Sequence, residues 1–222
     1  MGGKRYTCDV AGEACASTNP PLFDPDAVLS PDGAKAVFIR DWNLWVRDVA
    51  SRAERQLTTD GEPHFGYATD NAGWRRSHRP VVLWSPDSRK LAFIDQTMRI
   101  KYHDLDSGKT SDVDKELWSY HGALEGFRVS WSADSRWIAY SRGLDNQNEA
   151  IFLFDTTTQK AAQVTAGYYD DGNPAFDPEG KYLYFASGRN YSPIYSDIDN
   201  TWIYTNTAVL MAVPLRKDVK SP

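Results

Sequence analysis

Cysteine, histidine, methionine and long apolar runs are all scarce in this chain of 222 residues. It has 2 Cys, 4 His and 3 Met, and two cysteines alone cannot make a structural zinc site, which needs roughly four Cys or His ligands. No apolar run approaches the roughly 18 residues of a transmembrane helix. The opening Met1-Gly2-Gly3-Lys4 has no apolar segment behind it that would make a signal peptide. We therefore expect no metal, no cofactor and no membrane span.

Positive charge is also in short supply. The 25 Lys and Arg residues are outnumbered by 30 Asp and Glu residues, which gives a formal net charge of -5. This balance argues against a nucleic-acid partner, whose phosphates need a basic surface. Aromatic residues, in contrast, are abundant, with 8 Trp, 12 Tyr and 9 Phe. Such a composition favours β-sheets that pack face to face, because large flat side chains fill the layer between them.

A strand–turn–strand unit recurs four times along the chain. Its clearest copy is Val82-Leu83-Trp84-Ser85-Pro86-Asp87-Ser88, which leads into Leu91-Ala92-Phe93-Ile94. The period of the repeat, 55, 47 and 45 residues, is typical of four-stranded β-propeller blades. We predict a structural role for the acids at the turn centres, because a carboxylate there bonds to the nearby backbone. These acids are Asp32, Asp87, Asp134 and Glu179.

Third and fourth strands follow the same unit in order, as in Asn43-Leu44-Trp45-Val46-Arg47-Asp48 and then Gln56-Leu57-Thr58. The predicted fold is therefore an all-β propeller in a single domain, residues 1–222. Its four four-stranded-type blades cover about 27–59, 81–114, 127–165 and 172–218. Inserted loops are predicted at 60–80, 115–126 and 188–207.

The last blade has no recognisable fourth strand, which would leave an open sheet edge. The hairpin predicted at residues 4–17 either completes this blade or forms a partial fifth blade. If the ring does not close within one chain, exchange of strands between chains would produce an oligomer.

The same hairpin contains both cysteines. A two-residue loop at positions 11 and 12 would place Cys8 directly opposite Cys15. A cross-strand disulfide is one interpretation, and it would fit an exported protein. The other interpretation is a pair of reduced, small strand residues.

The loop at 60–80 is the candidate binding segment, because long loops on a rigid scaffold often carry ligand contacts. Glycines alternate with aromatic residues in it, and basic residues follow. The alternative is a packed loop with solvated arginines. The candidate binding residues are Phe65, Tyr67, Trp74, Arg75, Arg76 and Arg79.

Two family resemblances cover different parts of the chain. Residues 5–93 resemble the amino-terminal propeller of dipeptidyl peptidase IV-type serine peptidases, through Leu29-Ser30-Pro31-Asp32-Gly33, Gln56-Leu57-Thr58-Thr59-Asp60-Gly61 and the 65–74 segment. Residues 129–222 resemble propellers of tricorn-like proteases, through Phe176-Asp177-Pro178-Glu179-Gly180 and Val213-Pro214-Leu215-Arg216-Lys217-Asp218. The two likenesses together leave three origins open, namely a natural recombinant, a divergent intermediate and an engineered fusion of propeller fragments, and of these we favour the engineered fusion. The parent families are cytoplasmic or periplasmic, so the compartment stays undetermined.

In both families the resemblance implies a propeller that filters or guides peptides toward a separate catalytic domain. No such domain is recognisable here, so the expected function is a non-catalytic, substrate-gating scaffold and not an enzyme. A stand-alone module that binds a peptide or protein is the first alternative. A hydrolase is the second, and it would need one of the single histidines His64, His78, His103 and His121 as its base.

Overall fold

The computed structural model consists of strands and turns, and it contains no helix in the residues it describes. It describes strands 5–8 and 15–18 by their backbone, and then residues 26–63, 79–95, 97, 99–115, 129–191, 193–196, 198, 201–204 and 206–221. No described segment therefore forms a helix of the length and apolarity that a membrane crossing requires.

An antiparallel hairpin begins the chain, and three four-stranded sheets follow it. The hairpin is β1 (Arg5–Cys8) with β2 (Cys15–Thr18). The first sheet comprises β3 (Val28–Leu29), β4 (Lys35–Arg40), β5 (Asn43–Asp48) and β6 (Glu54–Gln56). The second comprises β7 (Val82–Trp84), β8 (Lys90–Ile94), β9 (Arg99–Asp104) and β10 (Lys109–Lys115). The third comprises β11 (Val129–Trp131), β12 (Trp137–Gly143), β13 (Glu149–Asp155) and β14 (Lys160–Gln163).

The fourth sheet has three strands and carries an inserted hairpin. It pairs β15 (Asp171–Phe176) with β16 (Tyr182–Ser187), and the hairpin of β17 (Pro193–Tyr195) and β18 (Trp202–Tyr204) then precedes the last strand, β19 (Val209–Pro214). The predicted all-β propeller with four blades is thus confirmed. Of the two roles predicted for the amino-terminal hairpin, the described pairing gives it a separate two-stranded sheet, because β1 pairs with β2 and not with β19.

Each blade begins with the same tight turn between its first two strands. In the first blade the amide of Gly33 donates to the carbonyl of Ser30 at 2.8 Å. The residue that closes the turn has a positive φ in every blade, which only glycine adopts at low cost. The four residues are Gly33 (φ 70), Ser88 (φ 60), Ser135 (φ 58) and Gly180 (φ 68).

Hydrogen bonds join each blade to the one before it. The Trp84 indole donates to the Val28 carbonyl at 3.2 Å, and the amide of Asp32 donates to the Ser88 hydroxyl at 3.1 Å. The second and third blades repeat both bonds, at 3.2 Å from the Trp131 indole to the Leu83 carbonyl and at 3.0 Å from the Asp87 amide to the Ser135 hydroxyl.

Apolar side chains fill the three layers between consecutive blades. Burial of one large apolar side chain stabilises a fold by about 1.5–3 kcal/mol, so these layers hold the blades together. The first layer holds Val37, Leu44, Val46, Leu57, Trp84, Leu91, Phe93 and Leu105. The second holds Ala92, Ile100, Tyr102, Val113, Trp131, Ile138, Tyr140, Ala150, Phe152 and Phe154. The third holds the buried residues Ala139, Ile151, Leu183 and Phe185.

Candidate functional site

The candidate binding loop at 60–80 lies mostly outside the described residues. Arg79 is the candidate residue that lies within the described part of the chain, where its side chain is exposed and interacts with another group. The remaining candidates lie outside the described residues, so their role stays a prediction. They are Phe65, Tyr67, Trp74, Arg75 and Arg76.

The turn acids Asp32, Asp87 and Asp134 bind their own turns. Each carboxylate accepts a hydrogen bond of 2.5 Å from the serine hydroxyl two residues earlier. The bond from Ser30 and the bond from the Ala34 amide hold the pKa of Asp32 below its usual value. These contacts are those of a turn and not of a ligand site.

Glu179 behaves differently from the other three turn acids. Asp177 replaces the turn serine in this blade. Its carboxylate accepts hydrogen bonds from the amides of Glu179 at 3.2 Å and Lys181 at 2.9 Å. The Glu179 side chain instead forms an ion pair with Lys181. The sequence repeat therefore locates the turn correctly, but the carboxylate that bonds to the turn amides is that of Asp177 and not that of Glu179.

Most of the exposed large apolar residues among those described lie on the fourth blade. We call β17 and β18 the aromatic ribbon. Its strands pair Tyr195 with Trp202, whose rings meet edge to face with centroids 5.5 Å apart. Trp202 is 57% exposed and Tyr204 is 51% exposed. Exposed Tyr and Trp rings combine apolar area with polar groups, so this surface is the candidate binding surface among the described residues.

Tyr191 extends this surface beyond the strands. It is 76% exposed, and its ring centroid lies 5.8 Å from that of Tyr204. Its hydroxyl hydrogen-bonds to Tyr204 and raises the pKa of the Tyr204 phenol. The ribbon therefore presents neutral rings and hydroxyls.

A charged pair anchors the base of the ribbon. Arg189 Nη2 lies 3.7 Å from Asp171 Oδ1, and Arg189 Nε donates to the Ser187 hydroxyl at 2.8 Å. The guanidinium also lies over the ring of Tyr169, 4.6 Å from its centroid. Asp171 and Ser187 are both buried, so this pair fixes the point at which the ribbon leaves the sheet.

The sequence interpretation missed the ribbon, although it recognised an insertion at 188–207. The available signal was aromatic alternation, since Trp202 and Tyr204 flank one residue and Tyr191 and Tyr195 precede them. Alternation with period two predicts one aromatic face on a strand pair.

His103 is the described histidine, and it is not arranged as a catalytic base. Its Nδ1 lies 2.8 Å from the Thr110 hydroxyl, while its buried Nε2 has no hydrogen-bond partner. Burial, together with the nearby Arg55 guanidinium, lowers the pKa of His103 to about 4. A general base needs access to substrate and a pKa near the working pH, and this imidazole has neither.

The described residues also contain no group of three or more His, Cys, Asp or Glu side chains that could hold a metal ion. The backbone register of the first hairpin places Cys8 opposite Cys15, as the predicted loop required. The disulfide itself stays a prediction.

Sequence comparison matches the chain to two families. The model described as "Tricorn protease second beta propeller domain" matches residues 69–222, which is more than half of the chain. The chain belongs to this family. The model described as "Dipeptidyl peptidase IV (DPP IV) N-terminal region" matches residues 1–106. The predicted resemblances are confirmed, and the tricorn match begins earlier than the sequence motifs indicated.

Curated relatives carry the same two names. The tricorn protease of Thermoplasma volcanium is 31% identical over 270 residues, which cover 100% of this chain and 26% of the relative. Tricorn protease homolog 1 of Streptomyces coelicolor is 26% identical and covers 71% of this chain and 14% of the relative. A probable dipeptidyl-aminopeptidase B of Aspergillus niger is 29% identical, and the match covers 41% of this chain and 11% of the relative. The chain thus spans about a quarter of the tricorn protease, and the regions matched are propeller or amino-terminal regions.

Solved structures support the fold. A crystal structure of the tricorn protease aligns with a TM-score of 0.68 at 18% identity, over 96% of this chain and 20% of the other. An oligogalacturonate lyase in complex with manganese aligns with a TM-score of 0.53 at 14% identity, over 82% and 52%. At these identities the likeness shows the propeller fold alone.

Proposed function

We propose that this tricorn-like propeller domain guides peptides toward a peptidase catalytic centre and breaks no bond itself. The observation that carries the proposal is the match of residues 69–222 to a propeller domain of a peptidase. The aromatic ribbon supports it, because Tyr and Trp rings supply rigid contact area for a peptide at low conformational cost.

A stand-alone peptide- or protein-binding module is the alternative that the ribbon also favours. It differs from the guiding role in one respect, since a guide needs weak binding and rapid release whereas a stand-alone binder needs a long residence time. A hydrolase is less well supported, because the described His103 is buried and has no partner at Nε2.

The predicted recombinant or engineered origin stays a prediction. The alignment of one tricorn protease with 100% of the chain offers a single parent instead of two. The proposed partner is a peptide or protein, and nucleic acid and membrane lipid are not proposed as partners. The compartment stays undetermined between the cytoplasm and the periplasm of the parent families.

Peptide binding tests the proposal directly. We expect a library of fluorescent unfolded peptides to show saturable, fast-dissociating anisotropy changes with the protein. Trp202→Ala should weaken them by on the order of tenfold, as for a central interface aromatic. The matched control is Trp42→Ala, which removes a 37% exposed tryptophan from the first blade and should leave binding unchanged.

Two outcomes separate the alternatives. A complex that dissociates over minutes to hours would replace the guiding role with the stand-alone binder. Hydrolysis of the same peptides, stopped by a serine-directed inhibitor, would overturn the non-catalytic assignment.

A further inference from the structure

The fourth blade differs from the other three at the end of its third strand. In the first and third blades the third strand ends at an aspartate, Asp48 and Asp155 respectively. The Asp48 carboxylate accepts a hydrogen bond from the amide of Ser51 at 2.7 Å, and the Asp155 carboxylate accepts one from the amide of Thr157 at 2.9 Å. These bonds reverse the chain, and a fourth strand follows. Pro214 occupies the same place at the end of β19 and lacks the carboxylate.

The register shows that these positions are equivalent. Asp48 lies opposite Lys35, Asp155 opposite Trp137 and Pro214 opposite Tyr182, each at the start of the second strand of its blade. Pro214 also lacks the amide that Asp48 donates to the carbonyl of Ala53 at 2.9 Å. The sequence therefore does not encode the outer turn at this point.

The residues after β19 leave the sheet edge. The amide of Val219 donates to the carbonyl of Arg216 at 3.2 Å, and the Tyr182 hydroxyl donates to the carbonyl of Lys220 at 2.8 Å. The chain thus folds back across the start of β16. Within the described residues, the outer edge of β19 has no strand beside it.

The other blades show what a strand on this edge provides. In the third blade the amide of Ile151 donates to the Thr165 hydroxyl at 3.0 Å, and the amide of Val164 donates to the carbonyl of Ile151 at 2.8 Å. Gln163 Nε2 then donates to the carbonyl of Thr165 at 2.8 Å.

The first blade repeats this arrangement with Gln56-Leu57-Thr58. The amide of Leu44 donates to the Thr58 hydroxyl at 3.0 Å, the amide of Leu57 to the carbonyl of Leu44 at 2.8 Å, and Gln56 Nε2 to the carbonyl of Thr58 at 2.7 Å. In the first and third blades the fourth strand therefore has a shared chemistry, in which an amide side chain, an aliphatic residue and a threonine follow one another. The second blade differs, because its β10 places Asp114 opposite Ile100.

Leu210 is the residue of the fourth blade that stands where Leu44 and Ile151 stand. It is four positions before Pro214, as Leu44 and Ile151 are before their aspartates. Leu44 and Ile151 are fully buried, whereas Leu210 is 77% exposed. The alternation of a strand turns the amides of Leu210 and Ala212 toward the open edge.

We propose that the outer edge of β19 accepts an extended segment of a partner polypeptide as its fourth strand. The segment runs antiparallel to β19, places an aliphatic residue opposite Leu210, and follows it with threonine or serine, whose hydroxyl accepts the amide of Leu210. Main-chain bonds supply affinity and the aliphatic–hydroxyl pair supplies selectivity. This pairing would give the fourth blade the fourth strand that the other three blades already have within the chain.

The aromatic ribbon stands at the Leu210 end of this edge. It is inserted directly before β19, and its base is held by the amide of Asn190, which donates to the carbonyl of Thr207 at 3.1 Å. Partner residues that continue past the hydroxyl position therefore run toward the ribbon. The edge site does not require the guiding role proposed above, since it depends on strand pairing alone.

The chain itself supplies the probe. A fluorescein-labelled peptide with the sequence of residues 157–166, which contains Lys160-Ala161-Ala162-Gln163-Val164-Thr165, is titrated with the full-length protein. We expect saturable binding and slowed hydrogen exchange at the amides of Leu210 and Ala212. Replacing the valine of the peptide by aspartate, or methylating the amide nitrogens of its strand, should weaken binding by at least about tenfold.

Protein variants complete the test. Leu210→Asp should weaken peptide binding by about tenfold or more, and it should not unfold the protein because Leu210 is exposed. Leu29→Asp is the matched control, since Leu29 is 48% exposed on the first strand of the first blade, and it should leave binding unchanged. No saturable binding, equal binding of the methylated peptide, or equal loss in both variants would overturn the proposal. A dimer in solution whose Leu210 amide is already protected would also overturn it, because a second copy would then occupy the edge.

Discussion

The second and third blades are joined by polar bonds that the third and fourth blades lack. At the same two turn positions the third blade has Trp131 and Ser135, which bond to the second blade, while the fourth blade has Phe176 and Gly180. The fourth blade bonds to the third by other groups, from the amide of Phe176 to the Ser130 hydroxyl at 3.1 Å and from the amide of Glu149 to the Asp170 carboxylate at 3.0 Å. Consecutive blades can therefore be joined with or without the indole and turn-hydroxyl bonds.

This difference predicts unequal costs of truncation at one position. Trp131→Ala should lower the free energy of unfolding by about 3–5 kcal/mol, because it leaves a cavity in a buried layer and removes a hydrogen bond. Phe176→Ala should cost less than half as much, since Phe176 is only half-buried. Urea unfolding followed by circular dichroism measures both, and equal losses would contradict the comparison.

The interface between the first and second blades should be sensitive to acid. His103 is neutral in the fold because its pKa is lowered to about 4, whereas its pKa in the unfolded chain is near 6.5. Its contribution is therefore complete above pH 6.5 and is lost as the pH falls toward 4, by up to about 3 kcal/mol.

Urea unfolding at a series of pH values checks this expectation. His103→Gln removes the titrating group and keeps an amide that can bond to Thr110, so it should flatten the stability profile between pH 4 and 6.5. An unchanged profile in this variant would assign the acid sensitivity to the carboxylates instead.

The hydrogen bond from the Asp87 amide to the Ser135 hydroxyl should contribute less to the free energy of unfolding than the buried side chains between the blades. Ser135→Ala leaves the amide of Asp87 without its acceptor and should cost about 1 kcal/mol. Gly180→Ser is the reciprocal variant, because it offers the missing hydroxyl to the amide of Asp134. Gly180→Ala is its control, because both variants place a side chain at a positive φ of 68° and only serine offers a hydroxyl. Gly180→Ser should therefore be more stable than Gly180→Ala; equal stabilities would show that the hydroxyl does not stabilise these turns.

The smallest effect is expected at the amino-terminal hairpin, whose sheet is separate from the blades. If Cys8 and Cys15 form the predicted disulfide, thiol titration of the unreduced, denatured protein should find no free thiols, and reduction should release two. Reduction should leave the unfolding of the four blades unchanged. Two free thiols before reduction would contradict the disulfide.

The parts of the fold that follow from local chemistry could be predicted from the sequence. The turn at Asp87 needs only its own serine, proline and acid, and the register of Cys8 with Cys15 follows from loop length. The exchange of roles between Asp177 and Glu179 could not be predicted, because either carboxylate can reach the same turn amides. The meaning of Pro214 also depends on tertiary context, since proline ends many kinds of strand.

The exposed aromatic ribbon could be predicted from the sequence less readily than the fold. Residues such as Trp202 and Tyr204 resemble core residues in sequence, because nothing in a short aromatic alternation says whether another sheet covers it. Exposure is a property of the assembled blades, so the outward orientation of these rings follows only from the folded structure.

The contact of each blade with its predecessor has a consequence for how the molecule is made. Trp84 and Trp131 each bond to the sheet that precedes them in the chain, so the partner surface is synthesised first. Because segments near the amino terminus generally fold first during synthesis, each new sheet can dock on a surface that already exists. We therefore expect the blades to assemble in the order in which they are translated.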